Sequence, residues 1–241
     1  MMKNTDLDLD FGILYIATGK KYIQEAIYSA KSVRQIMPKL PIAVYLDDPT
    51  QVPTALFDLV NQIDDPQFSY IDKVLLLQKT PFKKTLFLDT DTLVIDPIYE
   101  LKALLSKFDI ACAHAPVRDT HQMPKCPEAF PELNTGVILY RQSDSVNSLF
   151  QSWIRIYQAQ LQSDRPPLHD QPAFRQAIFE SDINLSILPP EYNLRTVMPM
   201  FIGGNAKVKI LHGRQPSINN IQQQLKQAPV APIPRVSSLQ K

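Results

Sequence analysis

Four stretches of the chain are almost unbroken runs of apolar residues: Phe11 to Thr18 (FGILYIAT), Pro41 to Leu46 (PIAVYL), Thr85 to Leu88 (TLFL) and Gly136 to Tyr140 (GVILY). Short apolar runs bounded by turn-forming residues are what strands covered on both faces look like. Between the first two, Ile23, Ala26, Ile27, Ala30, Val33 and Met37 recur at three- and four-residue steps. That spacing predicts an amphipathic helix from Tyr22 to Met37, stopped by Pro38. Strand, helix and strand in this order make a right-handed βαβ unit, so the expected fold class is α/β with a largely parallel sheet.

The alternation continues downstream. Short helices are expected over Asp72 to Gln78 and Tyr99 to Lys107, and short strands over Asp109 to Ala113, Ser186 to Leu188 and Val208 to Leu211. A long helix capped by Ser143 or Asp144 and running to about Gln162 buries Val146, Leu149, Phe150, Trp153, Ile154 and Tyr157. Another helix spans Asp170 to Phe179. From Gln215 onward Gln, Pro, Ser and Asn dominate, and four prolines are expected to break any regular element. The chain therefore divides into a domain over residues 1–214 and a Pro/Gln-rich tail over 215–241 that is mobile or laid along the surface.

Charge and targeting signals narrow the function classes. The 25 Lys and Arg against 24 Asp and Glu leave a net charge of +1, which gives no electrostatic footprint for nucleic acid. Met1 to Asp10 is polar, so no secretory leader is expected. No apolar run reaches the roughly 18 residues of a spanning helix. Cys112 and Cys126 form no C-x-x-C pair, which reads as reduced thiols. A cytoplasmic location is expected.

Glycine scarcity matters more. The chain holds 21 prolines and only 6 glycines, where ordinary usage would give about 12 and about 17. No two glycines stand in a G-x-G relation, which excludes a Rossmann fingerprint. Around Gly19-Lys20, Leu14 and Lys21 occupy positions where a P-loop needs Gly and Ser or Thr. Any phosphate ligand must be neutralised by something other than a glycine cradle.

Asp89 and Asp91 offer that alternative. They follow a buried strand directly, at the carboxyl edge of the sheet where open α/β folds place their ligands. Two positions apart, they share one face of an extended chain and can converge on one ligand. Converging carboxylates repel unless a cation lies between them. Oxygen ligands suit a hard divalent ion such as Mg²⁺ or Mn²⁺. Asp6, Asp8 and Asp10 lack the Gly and final Glu of a calcium loop and read as a solvated leader.

Residues 86–94 (LFLDTDTLV), between Pro81-Phe82-Lys83-Lys84 and Asp96-Pro97, resemble the metal-binding aspartate motif of GT-A fold glycosyltransferases, nearest to the family-8-like nucleotide-diphospho-sugar transferases. Further segments match that group in order: Phe130 to Val137 (FPELNTGV), Leu168-His169-Asp170-Gln171, Ile187 to Asn193 (ILPPEYN) and Ile210-Leu211-His212-Gly213. The resemblance spans Phe11 to Arg214. It implies a Rossmann-like α/β/α sandwich with a mixed, mostly parallel sheet. The activity implied is that of a hexosyltransferase, moving a sugar with retention from a nucleoside-diphosphate sugar, a UDP-sugar first, to a glycan, lipid or protein acceptor.

The same resemblance assigns residues. Asp89, Asp91 and His212 would ligate Mn²⁺ or Mg²⁺. Ala17, Thr18, Gly19, Tyr22, Asp47, Thr90, Gly213 and Arg214 would surround the donor, with Arg214 standing near where the family carries a diphosphate-binding Lys. Asn134, Asp170 and Gln171 would line the sugar and acceptor pocket. Asp170 also suits a helix N-cap, and Pro172 biases Gln171 toward extended backbone. Gly203-Gly204 reads as a bend or lid. Two other readings of the aspartate pair stand beside this one: a haloacid-dehalogenase-like Mg²⁺ phosphatase, in which the first Asp attacks phosphorus, and an inert nucleotide-sugar-binding module.

Overall fold

Each apolar run becomes a strand of one sheet in the computed structural model, which describes residues 7–53, 55–119, 121, 123, 126–196, 206–214 and 217–227. The chain runs β1 (Phe11–Ala17), α1 (Lys20–Ile36), β2 (Ile42–Leu46), β3 (Leu59–Gln62), α2 (Tyr70–Leu76), β4 (Lys84–Leu88), β5 (Thr92–Val94) and α3 (Leu101–Leu104). It continues through β6 (Ile110–His114), β7 (Leu133–Arg141), α4 (Asp144–Leu161), α5 (Gln171–Phe179), β8 (Leu185–Leu188), β9 (Leu194–Arg195), β10 (Ile210–His212) and α6 (Ser217–Gln227). Seven strands form the large sheet in the order β3-β2-β1-β4-β7-β6-β8. β7 alone runs antiparallel to its neighbours, so the sheet is mixed and mostly parallel.

Strand alternation divides the core in two. Ile13, Tyr15 and Ala17 of β1 face the layer holding α1 and α3, while Leu14 and Ile16 face α2, α4 and α5. β4 does the same, with Leu86 and Leu88 on one side and Phe87 on the other. This is the period of two expected of a strand covered on both faces.

Topology then fixes where a ligand can sit. From β1 the chain steps outward to β2 and β3, and returns on the far side of β1 as β4. The boundary between β1 and β4 is a topological switch point, and crevices open outside the carboxyl ends of strands at such points. The chain leaves the large sheet after Leu88, and Asp89-Thr90-Asp91 links β4 to β5. β5 belongs to a small second sheet of order β5-β10-β9, whose core is Leu93, Leu194, Val208, Leu211 and Ile218.

Three local expectations need correction. The prolines beyond residue 215 do not break all regular structure: they flank the proline-free segment Ser217–Gln227, which is α6 and seats Ile218 in the small core. The helix expected over Tyr99 to Lys107 shrinks to Leu101–Leu104, its ends closed by turns at Tyr99 and Leu105. Gln171 is the first residue of α5 rather than extended, because Pro172 falls in the first turn, where no N–H is needed. Gly203-Gly204 and the tail beyond residue 227 lie outside the described residues. Among the described residues, no helix is long and apolar enough to cross a membrane.

Candidate active site

A cleft of about 680 Å³ opens at the switch point. At its floor Asp89, Asp91 and His212 converge, each offering a ligand atom within 4.8 Å of the others. His212 Nε2 lies 3.3 Å from Asp91 Oδ1 and 3.8 Å from Asp89 Oδ2. Asp89 hangs from the end of β4, where its N–H donates to the Gly136 carbonyl at 2.7 Å. His212 ends β10, and the Gly213 N–H donates to the Asp91 carbonyl at 2.8 Å.

Backbone hydrogen bonds determine which way the polar side chains face. The Gly136 N–H can only donate, so the Asn134 atom 3.0 Å away is its oxygen. That oxygen also accepts from Asn193 Nδ2 at 2.8 Å, which turns the Asn193 oxygen toward His212 Nδ1, again at 2.8 Å. Nδ1 therefore carries a ring proton, and in the neutral ring the Nε2 lone pair faces the two carboxylates. A ligating histidine is held in its tautomer by the same kind of outer contact.

The donor set fits a divalent cation. Two carboxylates and one imidazole nitrogen suit Mn²⁺ or a similar ion. Gly136 keeps the space open, since a Cβ there would stand 2.1 Å from His212 Cε1 and 2.7 Å from Asp89 Oδ2. Burial raises the Asp89 carboxyl above its ordinary value, against the pull of Lys73. At Asp91 burial also acts upward, but a hydrogen bond from a charged His212, that charge itself and the charges of Arg214 and Arg195 outweigh it and hold the group below the usual carboxylate range.

Lys73 forms a second centre beside the first. Its Nζ is 2.9 Å from Asp170 Oδ2 and 3.6 Å from Asp89 Oδ1, and donates to Thr135 Oγ1 at 3.2 Å. Burial works against its charge, yet Asp170 and Asp89 hold its pKa well above the ordinary lysine value. Asp170 does not cap α5 with its side chain. Its carboxylate is taken up by Lys73 and by the Thr135 hydroxyl at 3.1 Å, and its carbonyl accepts from Trp153 Nε1 at 3.1 Å. Gln171 is clamped at both ends: Oε1 accepts from Asn134 Nδ2 at 2.8 Å, and Nε2 donates to Glu132 Oε1 at 3.0 Å.

Thr18, Tyr22, Asp89, Thr90, Asp91, Asn134, Asp170, Gln171, His212 and Arg214 all line the cleft. Ala17, Gly19, Asp47 and Gly213 do not. Ala17 is packed into the core. Asp47 accepts the Gly19 N–H at 2.8 Å and so ties the ends of β1 and β2 together. Gly213 is backbone structure, with φ +153° and no room for a Cβ beside Thr196. Thr90 and Arg214 are joined through Glu25, at 3.0 Å and 2.9 Å. His169 lines the cleft edge-on to Tyr70, whereas His114 is an exposed strand end and the His121 ring meets the Arg165 carbonyl.

Sequence reading missed Lys73, Glu132, Asn193, Arg195 and Glu25. Lys73 carried a usable signal, because it shares the buried stripe of α2 with Ile71, Val74 and Leu76, where an unpaired ammonium would be costly. Asn193 lay inside a matched segment without a role. Glu25 and Arg195 show no pattern in sequence, since their partners are brought to them only by the fold.

Seven mostly parallel strands with the aspartate pair at the switch point define the GT-A type of α/β fold. A solved structure of an active-site Gln-to-Glu mutant of LgtC, a family-8 glycosyltransferase, matches with a TM-score of 0.57 and 14% identity, covering 90% of this chain and 97% of that one. At that identity the likeness is one of fold. No protein-family model matches the sequence, and no curated protein sequence matches it.

Proposed function

We propose that the chain is a divalent-cation-dependent glycosyltransferase, which moves a sugar from a nucleoside-diphosphate sugar to an acceptor hydroxyl with retention at the anomeric carbon. The observation that carries this reading is the convergence of Asp89, Asp91 and His212 in a cleft where Lys73 and Arg214 are already paired. Lys73 is held by Asp170 and Asp89, and Arg214 by Glu25 and Asp91. A diphosphate entering here brings negative charge that these paired groups do not meet. A cation held by Asp89, Asp91 and His212 would neutralise phosphate oxygens and stabilise the departing nucleoside diphosphate as a Lewis acid.

The remaining work falls to side chains. Tyr22 and Thr18, at the β1 end of the cleft, supply a ring face and a hydroxyl for the nucleoside. Lys73 keeps its charge in a buried setting, where electrostatic stabilisation of a leaving group is strongest. Asp170 acts on Lys73 as a positioning residue. Gln171 presents an amide dipole at the sugar side. An amide is a poor nucleophile, so the reading assigns it stabilisation of positive charge at the anomeric centre, with the acceptor attacking on the face the diphosphate leaves. A UDP-sugar donor and a glycan, lipid or protein acceptor belong to the same reading.

The test is thermal denaturation with UDP-, GDP-, CDP- and dTDP-sugars, with and without Mn²⁺. One nucleotide class is expected to stabilise the wild-type chain only when Mn²⁺ is present, and Asp91→Ala is expected to lose that shift. A donor-induced shift unchanged in Asp91→Ala, or equally large without metal, overturns the reading.

A further inference from the structure

Arg195 stands beside the metal-ligating group in a way that none of the preceding roles uses. β9 and β10 are parallel, with Arg195 in register with His212, so the two side chains leave the small sheet on the same face. The Thr196 N–H donates to the His212 carbonyl at 2.9 Å and locks that register. Arg195 Nη1 lies 2.9 Å from His212 Nε2 and 3.2 Å from Nδ1, so the guanidinium rests against the imidazole and spans both nitrogens. Arg195 also lines the cleft, and its charge bears on Asp91.

A guanidinium cannot lose its proton in a protein. Its charge is therefore a fixed feature of this site. A divalent ion bonded to Nε2 would stand a few ångströms from that charge, and repulsion at such a distance is large even with substantial screening. Phosphate oxygens remove the conflict, because a guanidinium fork and a divalent ion can share the same diphosphate. From this juxtaposition we propose that Arg195 is an internal competitor for the divalent cation: it weakens cation binding to Asp89, Asp91 and His212 when no nucleotide is present, and couples cation binding to diphosphate binding.

This proposal rests on the metal-site reading given above, and its test separates the two. Mn²⁺ binding is measured by electron paramagnetic resonance on the full chain, with and without UDP, for wild type, Arg195→Met, Arg195→Ala and Asp91→Ala. Arg195→Met keeps the aliphatic stem, and circular dichroism shows whether each variant is folded. Without UDP, both Arg195 variants are expected to bind Mn²⁺ about tenfold or more tightly than wild type. Saturating UDP is expected to tighten Mn²⁺ binding strongly in wild type and much less in the variants, since coupling between two ligands is reciprocal and passes here through Arg195. If folded Arg195→Met and Arg195→Ala bind Mn²⁺ no tighter than wild type, the competitor role is overturned while the metal site stands. If UDP tightens Mn²⁺ equally in wild type and variants, the coupling role is overturned. Mn²⁺ binding that survives Asp91→Ala overturns the metal site and this proposal together.

Discussion

In the large sheet, Phe87 and Leu88 of β4 are fully buried between two helical layers, whereas Leu93, Leu194 and Leu211 of the small sheet rest on a compact core with Val208 and Ile218. The cluster of Asp89, Asp91 and His212, which could hold a divalent cation, straddles the two. Asp89 extends the large sheet, His212 ends a strand of the small one, and Asp91 lies on the connection between them. One member of the cluster thus shares the stability of the whole molecule, while another depends on a core of a few side chains. Elements with few buried contacts open locally at lower free energy than the global core, so cation binding and global stability should respond differently to mutation in the two sheets.

The largest effect is expected in the large sheet. Phe87→Ala removes a ring with no exposure, packed among Leu14, Ile138 and their neighbours on the α2/α4/α5 side. Loss of such a ring costs about 3–5 kcal/mol, read as a lower urea midpoint with an unchanged slope. A cost under about 1 kcal/mol would mean that the Phe87 ring is not tightly packed between the sheet and its helices.

Gly136→Ala comes next and reverses the balance. Gly136 belongs to the large sheet, but a Cβ there points at the small sheet's member of the cluster, 2.1 Å from His212 Cε1. His212 is 1% exposed and held by Asn193, so it has little room to retreat. Mn²⁺ affinity should fall about tenfold or more, while stability falls by about 1–3 kcal/mol from overpacking. Titration of Mn²⁺ into the folded variant checks this, and an affinity equal to wild type would show that His212 moves freely.

These contrasts also explain what could be read from sequence. β1, β2, β4 and β7 announce themselves because strands covered on both faces become continuous apolar runs, and α1 and α4 because their stripes repeat over several turns. β5 and β9 hold three and two residues, too few for any period to show. β3 is an edge strand, Leu-Val-Asn-Gln, that is only half-buried in alternation. The aspartate pair was legible from its place after a buried strand, but His212 became a ligand candidate only through a resemblance. Lys73, Asn193 and Arg195 act on partners brought to them by strand register and helix packing, which no local spacing encodes.

The smallest effect concerns how the small sheet is fastened. Asp96 follows β5 and pairs with Lys207 at 2.6 Å and with Lys209, whose ammonium also donates to the Pro97 carbonyl at 3.1 Å. Burial acts upward on the Asp96 carboxyl, but the two lysines outweigh it and hold its pKa below the ordinary value of 3.8. A carboxyl depressed in the folded state contributes stability above its unfolded pKa and loses it as the pH falls through the folded one. Asp96→Asn should therefore cost about 1 kcal/mol or less at pH 7, and the gap to wild type should close only below about pH 3.8. Urea unfolding at pH 7 and pH 3 measures that gap. If it is the same at both, the ion pairs do not fasten the small sheet, and apolar packing of Leu211 and Ile218 alone holds His212 against the cleft.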